Sequence, residues 1–139
     1  MDRTPVQNVA RLVGVVFLLV GVAGFIPGIT TNLYDGLEFA GSDGTAELLG
    51  LFEVSVLHNI VHGLFGVAGL ALAASASGAR TYLIGGGAIY LVLFLLGIAG
   101  GGDWIPVNDA DDWLHLVLGA GMIGAGVVTT RESRVATSA

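Results

Sequence analysis

The sequence predicts an all-α integral membrane protein, a bundle of four transmembrane helices. Three observations lead there. Mean hydropathy is +0.84, with 54% of the 139 residues hydrophobic. Only 12% are charged, about half the share of an ordinary soluble domain. The apolar residues also gather into four runs, each near the ~20 residues that a helix needs to cross hydrocarbon.

The runs are 10–26, 54–74, 82–99 and 113–129, within one domain spanning 1–139. Backbone polar groups cannot stay unpaired in lipid, so runs of this length are read as helices. The first follows a short basic leader, which makes a cleaved signal peptide its competing reading, but no small-x-small cleavage site precedes Pro27. The second carries two of the three histidines. The third begins at Tyr82 after a short link, 75–80, and the fourth begins at Trp113 and leaves a tail, 130–139.

The charges set the orientation. Arg3 and Arg11 flank the first run, Arg80 sits in the link, and Arg131 and Arg134 follow the last run. The other two connections, 28–51 and 100–112, hold no basic residue and carry Asp35, Glu38, Asp43, Glu47, Asp103, Asp109, Asp111 and Asp112. The positive-inside bias then predicts a multi-pass protein of the plasma membrane, with both termini and the link cytoplasmic and the acidic loops outside. Trp104, Trp113 and Tyr82 fall near span ends, where amphipathic rings prefer the headgroup layer. Acidic, lysine-free loops also suit a halophilic protein, whose surface carboxylates hold water in concentrated salt.

The two halves of the chain read as related helical hairpins. Phe17 to Gly24 resembles Phe94 to Gly100, and Leu57-His58 aligns with Leu114-His115, which also places Ala68 on Ala125 and Gly69 on Gly126. Each half crosses twice, so such an internal repeat predicts a pseudo-two-fold axis along the membrane normal. The second and fourth spans would face each other or sit symmetrically about it.

An ionisable residue inside a membrane is costly, so the three histidines draw the search for a site. On a helix, His58, His62, Phe65 and Gly69 fall at about 0, 40, −20 and 20°, one narrow stripe. The matching stripe on the fourth span is His115, Gly119, Met122 and Gly126. Two readings stand for this histidine cluster near the outer face. In one, the imidazoles are neutral and hydrogen-bond across helices to backbone, Ser55, Asn59 or Tyr90. In the other, His58, His62 and His115 bind a transition metal or haem b, with Glu53, Asn59 and Tyr90 as candidates for supporting hydrogen bonds. Glu53, five residues before His58, falls about 140° off the stripe if the helix includes it.

Other chemistries are excluded. With no cysteine there is no disulfide, thiolate ligand or cysteine nucleophile. A net charge of −6 disfavours nucleic acid. Asp109, Asp111 and Asp112 lack the glycine and distal glutamate of a calcium loop and read as a solvated surface. No phosphate-cradling loop, nucleophile elbow or paired zinc-helix motif is present. The abundant glycines in every run read as close helix packing.

The strings Phe52 to His62 continuing to Leu70, and Asn108 to Leu116 continuing to Gly119, resemble an uncharacterised family of small four-span membrane proteins, domain of unknown function 4383. The resemblance runs from about Gln7 to Thr130. It implies four helices and no activity, so no residue role comes from it. The expected function is that of an uncharacterised membrane protein, an accessory or structural subunit paired with other subunits or with itself. The alternatives are a metal- or haem b-binding protein of electron transfer or metal handling, and a small transporter or channel.

Overall fold

A computed structural model describes residues 3–100 and 108–137, with side chains through residue 130. Asp103 and Trp104 lie outside the described residues. The protein is mostly helical. In chain order the elements are α1 (Pro5–Ala23), β1 (Thr30–Thr31), α2 (Leu33–Gly36), β2 (Glu47–Leu48), β3 (Phe52–Glu53), α3 (Val56–Leu72), α4 (Ala76–Ile98) and α5 (Asp109–Thr137). Among the described residues three helices are long and apolar enough to cross a membrane: α1, α4 and the Asp109–Thr130 part of α5. The fourth apolar helix, α3, has 17 residues, about 26 Å at helical rise.

Local chemistry sets the ends. Pro5 opens α1 behind Thr4, whose N–H donates to Gln7 Oε1 at 3.1 Å. The other end of that amide satisfies a second helix: Gln7 Nε2 donates to the carbonyls of Ala73 and Ala74, both at 3.1 Å. These are carbonyls that the end of α3 leaves without intrahelical donors. Ser75 caps α4, accepting from Gly78 N–H at 3.0 Å, so the connection from α3 is only Ala73 to Ser75. The expected link of 75–80 is therefore mostly helix, and Arg80 is exposed on the first turns of α4. The small residues there are not apolar enough to extend an apolar run, yet a cap and good helix formers suffice.

The segment 28–53 is not simply a loop, and here the mostly helical protein departs from an all-α architecture. It folds into a three-stranded antiparallel sheet, order β1-β2-β3, with Thr30 opposite Leu48 and Leu48 opposite Phe52. Ala46, Leu48 and Val54 form a small buried core under it, packed by Val20, Ala23, Leu37 and Phe52. This cap is tied to the helices by Thr30 Oγ1 to the Ala23 carbonyl at 3.1 Å, and by Val56 and Leu57 N–H to the carbonyls of Glu38 and Phe39. It closes the end of the bundle opposite Arg3, Arg11 and Arg80.

The main packing is within two pairs, α1 with α3 and α4 with α5, and α1 also touches α4 and α5. The second and fourth apolar helices, α3 and α5, do not pack extensively on each other; α1 and α4 meet in the middle. Glycines let the backbones close up. A β-carbon at Gly14 would lie 2.9 Å from the Gly66 carbonyl oxygen, and one at Gly87 would lie 2.7 Å from that of Gly119. Similarly, Gly66 faces Leu18 and Gly14, as Gly119 faces Leu91 and Gly87. Gly24 lies under the Asn59 side chain and Gly97 under that of Asp112. The buried core runs through Val6, Ala10, Phe17, Leu83, Tyr82, Tyr90 and Met122. Outside it, Leu12, Leu19, Leu64, Val67, Ile89, Val92, Val117 and Val128 are exposed around the bundle.

Candidate functional site

The polar faces read from the sequence are the packed ones. On α5, His115, Gly119, Met122 and Gly126 are all buried; on α3, His58, His62 and Phe65 are half-buried and Gly69 is buried. Two of the three histidines meet. His58 Nε2 and His62 Nε2 lie 3.2 Å apart, with ring centroids 4.3 Å apart and planes at 74°. Helical spacing of four residues stacks them.

A row of aromatic ring contacts leads from this pair to His115. The His62 ring packs against Phe17 at 5.7 Å and an angle of 54°. Tyr90 packs against His115 at 5.3 Å and 57°. Phe17 and Tyr90 stack on each other at 5.3 Å and 28°. The order is thus His58, His62, Phe17, Tyr90, His115, with neighbouring rings in contact throughout. His62 meets Phe17 of α1 and His115 meets Tyr90 of α4, while His58 meets His62. Among the described residues no three His, Asp or Glu side chains are grouped to hold a metal ion.

Two further aromatic residues, Phe65 and Tyr82, complete the region. Phe65 meets Phe17 edge-on at 4.9 Å and Tyr82 at 5.0 Å. Tyr82, expected at the headgroup layer, is buried against Gly69, and its hydroxyl has no hydrogen-bond partner. Trp113 keeps the expected exposure and packs its ring at 6.1 Å from Phe94.

The three supporting candidates have other tasks. Asn59, 1% exposed, donates Nδ2 to the Gly24 carbonyl at 3.0 Å and so ties α3 to the end of α1. Tyr90 packs its ring against both Phe17 and His115. Glu53 is in β3, not in the helix, because Ser55 caps α3 by accepting from His58 N–H at 3.2 Å. Glu53 therefore has no angular relation to the histidine stripe of α3. Its carboxyl is held above its ordinary value, first by burial and then by the neighbouring Glu47.

Nor is the acidic run before the fourth span wholly solvated. Asp111 is buried, and its Oδ2 accepts from the N–H groups of Asn108 at 3.2 Å and Glu53 at 3.1 Å. Asn108 returns the contact, Oδ1 accepting from Asp111 N–H at 3.0 Å. This is a capping box, and the spacing Asn108-x-x-Asp111 was its signal in the sequence. Asn108 Nδ2 also donates to the Leu51 carbonyl at 2.9 Å, so the start of α5 is clamped to the cap.

With this geometry in place, the family model described as Domain of unknown function (DUF4383) matches residues 7–128. The chain belongs to the DUF4383 family. The match covers α1 through most of α5, and with it the cap and all three histidines. No curated protein matches this DUF4383 chain, and no solved structure does.

Proposed function

We propose that this DUF4383 protein is a four-helix integral membrane protein of the plasma membrane that acts as a packing or accessory subunit, with no chemistry of its own. In this reading both termini and the α3–α4 connection are cytoplasmic and the acidic cap is outside. One observation carries it: a belt of exposed apolar side chains surrounds the helices, while Arg3, Arg11 and Arg80 are exposed at one end and the acidic cap closes the other. That distribution favours lipid around the middle and a cytoplasmic side at the arginine end. The absence of native cysteine makes the test direct. In intact cells a membrane-impermeant maleimide labels Asp43→Cys, and labels Ser77→Cys only after permeabilisation. Labelling in the reverse order would overturn the orientation, and labelling of Leu19→Cys would overturn the membrane belt.

Within this reading the helices form two related hairpins. Matching contacts at Gly14 and Gly87, Gly24 and Gly97, Gly66 and Gly119, and the matching caps Ser55 and Asn108, support duplication in that register. The histidines then act as internal polar contacts.

A second reading keeps metal handling, and the His58–His62 contact favours it. Two imidazoles bound to one tetrahedral ion at about 2.0–2.1 Å have nitrogens about 3.3 Å apart, close to the 3.2 Å here. Zinc or copper(I) retained by the purified protein and lost in His62→Leu would support the pair site; metal-free protein after reconstitution with either ion would reject it.

A further inference from the structure

The apolar side of α1 continues past the end of the helix. Leu12, Leu19 and Val22 are exposed along it, and the exposed row goes on through Phe25, Ile26 and Ile29 to Leu49 and Leu51 at the tip of the β2–β3 hairpin. Leu49 N–H donates to the Ile29 carbonyl at 2.8 Å, which fixes the tip beside that row. From Leu48 to Phe52 the tip has no charge, and Glu47 and Glu53 bracket it as cross-strand partners.

Two further features distinguish the tip from an ordinary surface turn. Its N–H groups are already paired: Gly50 N–H donates to the Glu47 carbonyl and Leu51 N–H to that of Leu48, both at 3.2 Å. A segment with paired N–H groups can enter hydrocarbon, whereas an unpaired one cannot. The turn also passes through φ 58° at Leu49 and φ 66° at Gly50. Glycine or asparagine suits that left-handed conformation, and a leucine is strained in it. A large apolar side chain is thus held, 70% exposed, where the backbone favours a different residue.

We infer that this tip is a lipid-contacting wedge. Leu49 and Leu51 enter the leaflet at the cap end, beside the end of α1, and pin the cap to the membrane surface. Lipid is the occupant because the tip continues the side of α1 that faces hydrocarbon, and because the flanking carboxylates keep the insertion shallow. The inference rests on the reading of α1 as a membrane span.

Single nitroxides test it in the full chain, in vesicles of phosphatidylcholine and phosphatidylglycerol. Collisions with oxygen, which concentrates in lipid, are compared with collisions with a water-soluble nickel chelate. Leu49→Cys and Leu51→Cys are expected to give an oxygen-to-nickel ratio several-fold above that of Asp43→Cys and close to that of Leu19→Cys. A ratio at both tip positions equal to that of Asp43→Cys, with Leu19→Cys still reading lipid, overturns the wedge and leaves the span intact. Water exposure at Leu19→Cys overturns both. Shielding of both tip positions from both reagents means protein covers the tip, which also overturns the lipid assignment.

Discussion

His58 Nε2 and His62 Nε2 lie 3.2 Å apart on one face of α3. Two neutral imidazoles can share such a contact only if one ring carries its proton on Nε2 and the other on Nδ1. Replacing either histidine by leucine removes one partner, so the single variants are each expected to lose about 1–3 kcal/mol of stability. The double variant should recover part of that loss, with a coupling of about 1 kcal/mol in a double-mutant cycle. Strict additivity would show that the contact contributes nothing.

Backbone contact at the glycines gives the second expectation. A β-carbon at Gly66 would lie 2.5 Å from Leu18 N and 2.7 Å from the Gly14 carbonyl oxygen, atoms that cannot step aside. Gly66→Ala should therefore cost at least the ~1–3 kcal/mol typical of overpacking. Gly119→Ala meets the more yielding Leu91 side chain, but also the Gly87 carbonyl at 2.9 Å. Gly121→Ala and Gly124→Ala enter open space and should be neutral or mildly stabilising. Thermal unfolding in detergent separates the two classes.

The clamp at Asp111 gives the third. Asp111→Ala leaves the N–H groups of Glu53 and Asn108 without their shared acceptor. We expect a loss of about 1–3 kcal/mol, faster hydrogen exchange at those two amides, and earlier proteolysis in the cap than in the helices. Asp111→Asn keeps one acceptor oxygen and should lose less.

Glu53 gives a pH dependence. Burial, and then Glu47, hold its carboxyl above the ordinary value of 4.5, and among the described residues its buried Oε1 has no hydrogen-bond partner. The folded protein therefore retains a proton that the unfolded chain has already released. This contribution to stability is full below the ordinary value and is lost as pH rises through the raised one. Glu53→Gln removes the dependence, so its Tm should exceed wild type at about pH 7 and match it at about pH 4. A lower Tm at neutral pH would contradict the assignment.

The helices were legible because apolar length is a local property of the chain. The cap was not: its strands are two residues each, and they pair across a segment whose composition reads as acidic loop. The histidine stripes were also legible, since 3.6-residue spacing puts His115, Gly119, Met122 and Gly126 on one face without reference to any neighbour. Which glycines meet was not legible. Runs of Gly, Ala, Leu and Val offer many small faces, and only the packed helices show that Gly14 meets Gly66 and Gly87 meets Gly119. The Phe17–Tyr90 stack depends on how α1 and α4 meet, which no spacing within either helix encodes.

The ring contacts that lead from His62 through Phe17 and Tyr90 to His115 are tested most directly by through-space contacts in the lipid-reconstituted protein. Solid-state NMR of protein labelled at Phe, Tyr and His should give ring cross-peaks between Phe17 and Tyr90 and between Tyr90 and His115. A His58–His115 cross-peak in place of the Phe17–Tyr90 one would contradict the arrangement and bring the three histidines back into a single site.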